Sequence, residues 1–255
     1  MIGYLKDIWH SALMRRRYSE FKSTSPIPVG RWLDIARQEG RPNALVPVRF
    51  NKTERGYSGL HPELVPIFED AELGTWAIDS ATMDFFWEHL SSNNVNVILE
   101  FGSGSSTCLF AAWMRCNNPK GLVVSVDQNE WAANETRERL IRHGLGEYSK
   151  VLVMGRRDDD RFNIDIEILK ETLSGRMVEM LFVDGPAGCD GCRDNTMPES
   201  LTLFADKCDI FLHDALRDGE LGVLLKWSEI KCVEVAGVIP YGNGLGVGKW
   251  KASGL

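Results

Sequence analysis

Over the last two thirds of the chain, apolar and polar positions follow one repeating order. A short unbroken apolar run is followed by a polar or small-residue loop, then by a stretch with helical spacing. The runs are Val95–Leu99, Gly121–Asp127, Lys150–Gly155, Val178–Asp184, Asp209–Asp214, Cys232–Ile239 and Leu245–Lys251. Runs of this length, bounded by turn residues, predict strands buried on both faces. Between them the spacing predicts helices at 108–114, 130–143, 164–173 and 220–227, and another leads in at 79–90 with Asp79 as N-cap.

Strands alternating with helices predict a parallel sheet covered on both faces. The last two strands are joined only by Pro240-Tyr-Gly-Asn-Gly244, too short for a parallel crossover, so they must be antiparallel. The predicted fold is therefore α/β: a seven-stranded, mostly parallel Rossmann-like sheet with an antiparallel last strand, helices on both faces and an N-terminal helical extension. Residues 1–78 are assigned to that helical and irregular extension and 79–255 to the main domain. Within the extension, residues 22–30 read as a linker, and 31–75 as short helices and loops broken by Pro42, Pro47, Pro62 and Pro66.

Composition changes this picture little, but charge does. The net charge is −7, yet residues 1–60 carry +6, leaving −13 on the rest. An acidic body argues against nucleic-acid binding, which depends on neutralising phosphates. Residues 1–17 combine an apolar stripe with Arg15-Arg16-Arg17. That pattern suits a helix packed on the body or on a second subunit, and also a peripheral contact with an anionic membrane surface. The six cysteines read as reduced thiols in a chain of this length, and no apolar run approaches the ~20 residues of a membrane span. Both point to the cytoplasm.

The candidate chemistry lies at the strand ends. Glu100-Phe-Gly102-Ser103-Gly104 links the first strand to the following helix. Glycines there allow close backbone approach to a ligand, and a helix N-terminus offers unpaired N–H groups. Asp127 ends the second strand, where an acid can accept from ribose hydroxyls. Asp184 and the pair His213-Asp214 end the fourth and fifth strands. In open α/β sheets, ligands bind outside these carboxyl ends.

Together, the Glu-x-Gly-x-Gly loop, the acid of the second strand and the closing hairpin resemble class I S-adenosylmethionine-dependent methyltransferases, over about residues 79–251. The third glycine sometimes found in that loop is Ser106 here. The resemblance implies a cofactor site of Glu100, Gly102, Ser103, Gly104 and Thr107 from the loop, with Asp127 and Gln128 on the ribose side and Asp158 near the adenine. The acidic surface and the cluster of Asp184, His213 and Asp214 favour an oxygen of a small molecule or sugar as acceptor, with these three as catalytic residues and His213 or Asp184 as general base. Catechol-type and some sugar O-methyltransferases hold Mg²⁺ between acids at these strand ends, which would make Asp184 and Asp214 metal ligands. The fifth-strand His-Asp departs from their Asp-Asn or Asp-Asp. The asparagine-proline-proline-aromatic signature of DNA-amine methyltransferases is absent.

Alternatives remain open at this stage. A dinucleotide-binding dehydrogenase would need glycine where Thr107 stands, and a nucleotide-binding module without catalysis would keep the loop alone. His213 also reads as a hydrogen-bonded core histidine, and Asp214 as a helix N-cap. Arg193 and Arg217 read as surface arginines or as partners of an anionic acceptor. Cys189-x-x-Cys192 reads as half a zinc site or a redox pair.

Overall fold

The computed structural model describes residues 12–14, 16–40, 60–69, 77–217 and 219–252. Strands β1 (Val97–Phe101), β2 (Leu122–Asp127), β3 (Ser149–Val153), β4 (Val178–Val183), β5 (Phe204–His213), β6 (Val233–Ile239) and β7 (Leu245–Lys251) form one sheet, in the order β3-β2-β1-β4-β5-β7-β6. β1 to β5 pair in parallel, and β7 runs antiparallel to both its neighbours. The helices are α1 (Val29–Gln38), α2 (Val65–Phe68), α3 (Ser80–Ser92), α4 (Ser105–Asn117), α5 (Glu130–Arg142), α6 (Ile166–Leu173), α7 (Thr196–Ser200) and α8 (Glu220–Ser228).

Alternation along the central strands builds two cores. Val97, Leu99 and Phe101 face one side, where Trp32 of α1, Leu169 of α6 and Trp227 of α8 pack. Ile98 faces the other, with Phe86 of α3, Phe110 of α4 and Leu140 of α5. Asp79 caps α3 as its position predicts, accepting from Thr82 N at 3.0 Å.

Several expectations need correction. β1 does not end at Leu99: Glu100 and Phe101 still pair with Ser125 and Val126, so the acid lies inside the strand. β5 begins at Phe204 rather than 209, because it pairs with Val178 and absorbs a register shift before Met180. The stretch 22–30 is no linker. Ile27 bridges Val238 on β6 and α1 starts at Val29, so these residues close the sheet edge. Cys189 and Cys192 are bonded to each other, with Cα atoms 5.8 Å apart, whereas all six cysteines read as reduced thiols in the sequence. Of the basic amphipathic stretch 1–17, residues 1–11 and 15 lie outside the described residues; Met14 is buried in the first core. Among the described residues, no helix is long and apolar enough to cross a membrane.

Candidate active site

The loop after β1 is built in two layers. Beneath it, Glu100 and Thr107 are fully buried, while Gly102, Ser103 and Gly104 border solvent above. Glu100 Oε2 accepts from Ser125 Oγ at 2.6 Å and from Thr107 Oγ1, and Thr107 Oγ1 in turn accepts from Gly104 N at 2.9 Å. Burial pushes the Glu100 carboxyl up to about 7, against the hydrogen bonds from Ser106, Ser125 and Thr107. Glu100 therefore braces the loop from below, and so does Thr107. A side chain added at Gly104 would meet nothing within 4 Å, so the space above the loop is open.

Asp127 is fixed beside this opening. Its Oδ2 accepts from Ser103 N at 2.9 Å and Ser103 Oγ at 2.8 Å, and its Oδ1 from Asn129 N at 2.8 Å. A carboxylate has about four acceptor positions, so one remains for a hydroxyl. Gln128 follows, half-buried. The glycine loop, the open space and the aimed carboxylate fit the ribose and amino-acid ends of S-adenosylmethionine. Asp158 stands exposed in the turn that joins Arg157 and Arg161.

The sheet brings the second group of candidates to the same edge. Asp184 N and Gly185 N both donate to Phe101 O, at 2.7 and 2.8 Å, so the residues after β4 lie directly against the β1 loop. His213, at the end of β5, shares a hydrogen bond between Nδ1 and Asp184 Oδ1 at 2.8 Å. Burial alone would lower the His213 pKa, but the negative charges of Asp184, Asp214 and Asp79 outweigh it and hold the pKa at about 9. Asp214 is not a helix N-cap: it turns the chain with φ of +57°, a left-handed conformation Asp tolerates, and α8 starts six residues later. Its Oδ1 accepts from Asn243 and its Oδ2 from Arg217, both at 2.8 Å. Although burial opposes ionisation, His213, Arg193, Arg217 and Asn243 keep its carboxyl well below the usual range.

Arg193, which reads as a surface residue in the sequence, is only 3% exposed and lies among these groups. Its Nη1 donates to His213 O at 2.9 Å, and its Nη2 stands 3.6 Å from Asp184 Oδ1 and 4.0 Å from Asp214 Oδ2. Glu220, from the first turn of α8, stands 3.9 Å from Arg193 Nε, and burial raises its carboxyl to about 7 against the pull of Arg193. Sequence reasoning missed Glu220 and Asn243. The only signals were an acid three residues after Arg217 and an asparagine flanked by glycines.

Asp184, His213 and Asp214 each offer a ligand atom, all within 4.8 Å of one another. Mg²⁺ takes oxygen ligands in a near-octahedral array. Here the three candidate ligands are two carboxylates and an imidazole rather than an all-oxygen set, and the buried Arg193 guanidinium already stands 3.6 Å from Asp184 and 4.0 Å from Asp214. The residues do not fit Mg²⁺.

Several solved structures share this architecture. A methyltransferase from Geobacter sulfurreducens superposes with a TM-score of 0.56 at 17% identity, covering 86% of this chain and 96% of that one. The O-methyltransferase TomG from Streptomyces achromogenes, involved in tomaymycin synthesis and solved with S-adenosylmethionine, gives 0.53 at 15% identity, over 88% and 99%. The S-adenosylhomocysteine-bound methyltransferase PaMTH1 from Podospora anserina gives 0.56 at 18% identity, over 75% and 89%. The chain has the class I methyltransferase fold. No family model and no curated protein matches it.

Proposed function

We propose that this chain is an S-adenosylmethionine-dependent methyltransferase that acts on an oxygen atom of a small molecule, such as a sugar hydroxyl. The observation that carries the reading is the His213–Asp184 pair, 2.8 Å apart and set against the cofactor loop through the backbone of Phe101. The cofactor, when bound, supplies an already activated methyl group on a positively charged sulfur. The protein must then orient the acceptor and take its proton. An aliphatic hydroxyl holds its proton tightly, which gives a fixed base a purpose.

Asp184 binds Nδ1 of His213, which leaves Nε2 as the proton-accepting atom of the neutral ring. Arg193 and the β4–β5 pairing hold the backbone of His213 in place, and Asp184 orients its ring. Asp127 and the open face of Gly102, Ser103 and Gly104 hold the cofactor. Gln128 and Asp158 are assigned to the ribose and adenine sides.

Calorimetric titration with S-adenosylhomocysteine, with NAD in parallel, tests the cofactor. Micromolar-range binding of the first, lost in Asp127→Ala, is expected. Binding of NAD alone would make this a dinucleotide enzyme. Binding of neither would leave a binding module without this cofactor.

A further inference from the structure

We propose that Arg193 is the built-in cation of this site: its guanidinium takes, between Asp184 and Asp214, the electrostatic place that a divalent metal would otherwise hold, and the site works without one. The catalytic part of the proposal rests on the methyltransferase reading. The part concerning metal exclusion does not.

Three observations carry it. The first is position. Arg193 leaves the loop after β4 and enters the cluster almost completely buried, with Nη2 3.6 Å from one aspartate and 4.0 Å from the other. A buried cation is costly unless acids surround it, and Glu220 stands 3.9 Å behind it as a third.

The second is occupancy of the would-be ligands. Asp214 spends one oxygen on Asn243 and the other on Arg217, and Asp184 Oδ1 is engaged by His213. An incoming ion would have to compete with these donors, and with the Arg193 guanidinium beside both carboxylates, for the lone pairs that remain. The third is charge. Asp184, Asp214 and Glu220 bring three negative charges when ionised, and Arg193 and Arg217 bring two positive ones, so only one negative charge remains before His213 is counted. A dication would leave the buried cluster with excess positive charge.

Arg193 is therefore a positioning residue. It reaches the reaction through Asp184 and through the His213 carbonyl it binds, and its loop is pinned on the far side where Trp227 Nε1 donates to Asp194 O at 3.0 Å.

The test is metal binding rather than turnover. Wild-type protein is titrated with Mn²⁺ and followed by electron paramagnetic resonance, with Zn²⁺ as a second probe by calorimetry. No bound ion is expected, and removing divalent ions with a chelator should leave any methyl-transfer rate unchanged. Arg193→Gln removes the charge at similar size and should create one Mn²⁺ site per chain. That site should disappear again when Asp184→Asn is added, and Arg193→Lys should keep it closed. Stoichiometric Mn²⁺ or Zn²⁺ on the wild type, lost in Asp184→Asn, overturns the proposal, and so does a folded Arg193→Gln that binds no metal. Should Arg193→Gln not fold, the wild-type titrations still decide. Failure of S-adenosylhomocysteine to bind would remove the cofactor reading while leaving the metal titrations interpretable.

Discussion

The backbones of Gly102 and Gly185 touch. A Cβ placed on Gly102 would stand 2.8 Å from Gly185 N and 2.9 Å from the carbonyl carbon of Asp184. Gly102 also has φ of +100°, a region side chains rarely enter. Any residue there both strains the backbone and pushes the loop after β1 away from the end of β4. Gly102→Ala is expected to cost about 1–3 kcal/mol of stability from the strained backbone. It should also weaken S-adenosylhomocysteine binding at least about tenfold, since 1.4 kcal/mol lost at a ligand site has that effect. Urea unfolding and calorimetry read the two effects separately. Wild-type values in both would mean the contact is not needed.

Asp127 holds Ser103, and in the proposed function it also offers its last acceptor position to a ribose hydroxyl. Asp127→Asn keeps the shape but puts an amide in place of one carboxylate oxygen, which can then face the Ser103 N–H as a donor or point toward the ligand. Hydrogen bonds to a charged group contribute about 1.5–3 kcal/mol. A loss of about ten- to a hundredfold in S-adenosylhomocysteine affinity is expected, with a smaller loss of stability. Unchanged affinity would move the ribose contact to another residue.

If His213 is the base, as proposed, the pH dependence of catalysis follows from it. The ring must be neutral to accept a proton, and the surrounding carboxylates hold its pKa at about 9. The apparent kcat/KM should therefore rise with pH up to a limb near 9, because that parameter reports the free enzyme. Asp184→Asn removes the nearest negative charge, so the limb should move to lower pH even as the rate falls. His213→Ala should lower the rate by about 10²–10⁴-fold, the usual contribution of a general base. The same pairing stabilises the fold fully below the ordinary histidine pKa of 6.5, and that contribution fades as pH rises through about 9. A limb that stays in place in Asp184→Asn would separate the rate from this pair.

What the sequence made legible was whatever has a period or a sharp local signature. Buried strands stand out as apolar runs, the glycine loop by its spacing, and the final hairpin by a turn too short for any crossover. Asp127, Asp184 and His213 were legible for the same reason, since an acid or histidine ending an apolar run must sit at the sheet edge. Glu100 was legible as part of the loop after β1, but not as the brace buried beneath it. Which side of a backbone turn a carboxylate takes depends on Thr107 and Ser125, brought in from a helix and another strand. Arg193 was misjudged because an arginine in a polar loop carries no local sign of burial. Only Asp184, Asp214 and Glu220, from three different parts of the chain, make a buried guanidinium tolerable.

The same limit hid the role of residues 19–38, and it yields the last prediction. A proline-flanked, weakly periodic stretch reads as a loose lead-in. The structure instead places Ile27 against β6, with its N–H donating to Val238 O at 3.0 Å and its carbonyl accepting from Val238 N at 2.8 Å. Trp32 is fully buried beneath, with Nε1 donating to Val238 O at 3.2 Å and its ring edge-on to Phe21 at 5.1 Å. Gly237 allows this approach, since a Cβ there would stand 2.1 Å from Ile27 O. The segment thus covers an outer strand that would otherwise present unpaired backbone and apolar surface. Trp32→Ala should therefore destabilise the whole domain by about 3–5 kcal/mol, the usual cost of deleting a buried tryptophan. Urea unfolding followed by circular dichroism should show a single transition at lower denaturant, because the sheet loses its cover rather than an appendage. A transition at the wild-type midpoint would make this segment an independent attachment.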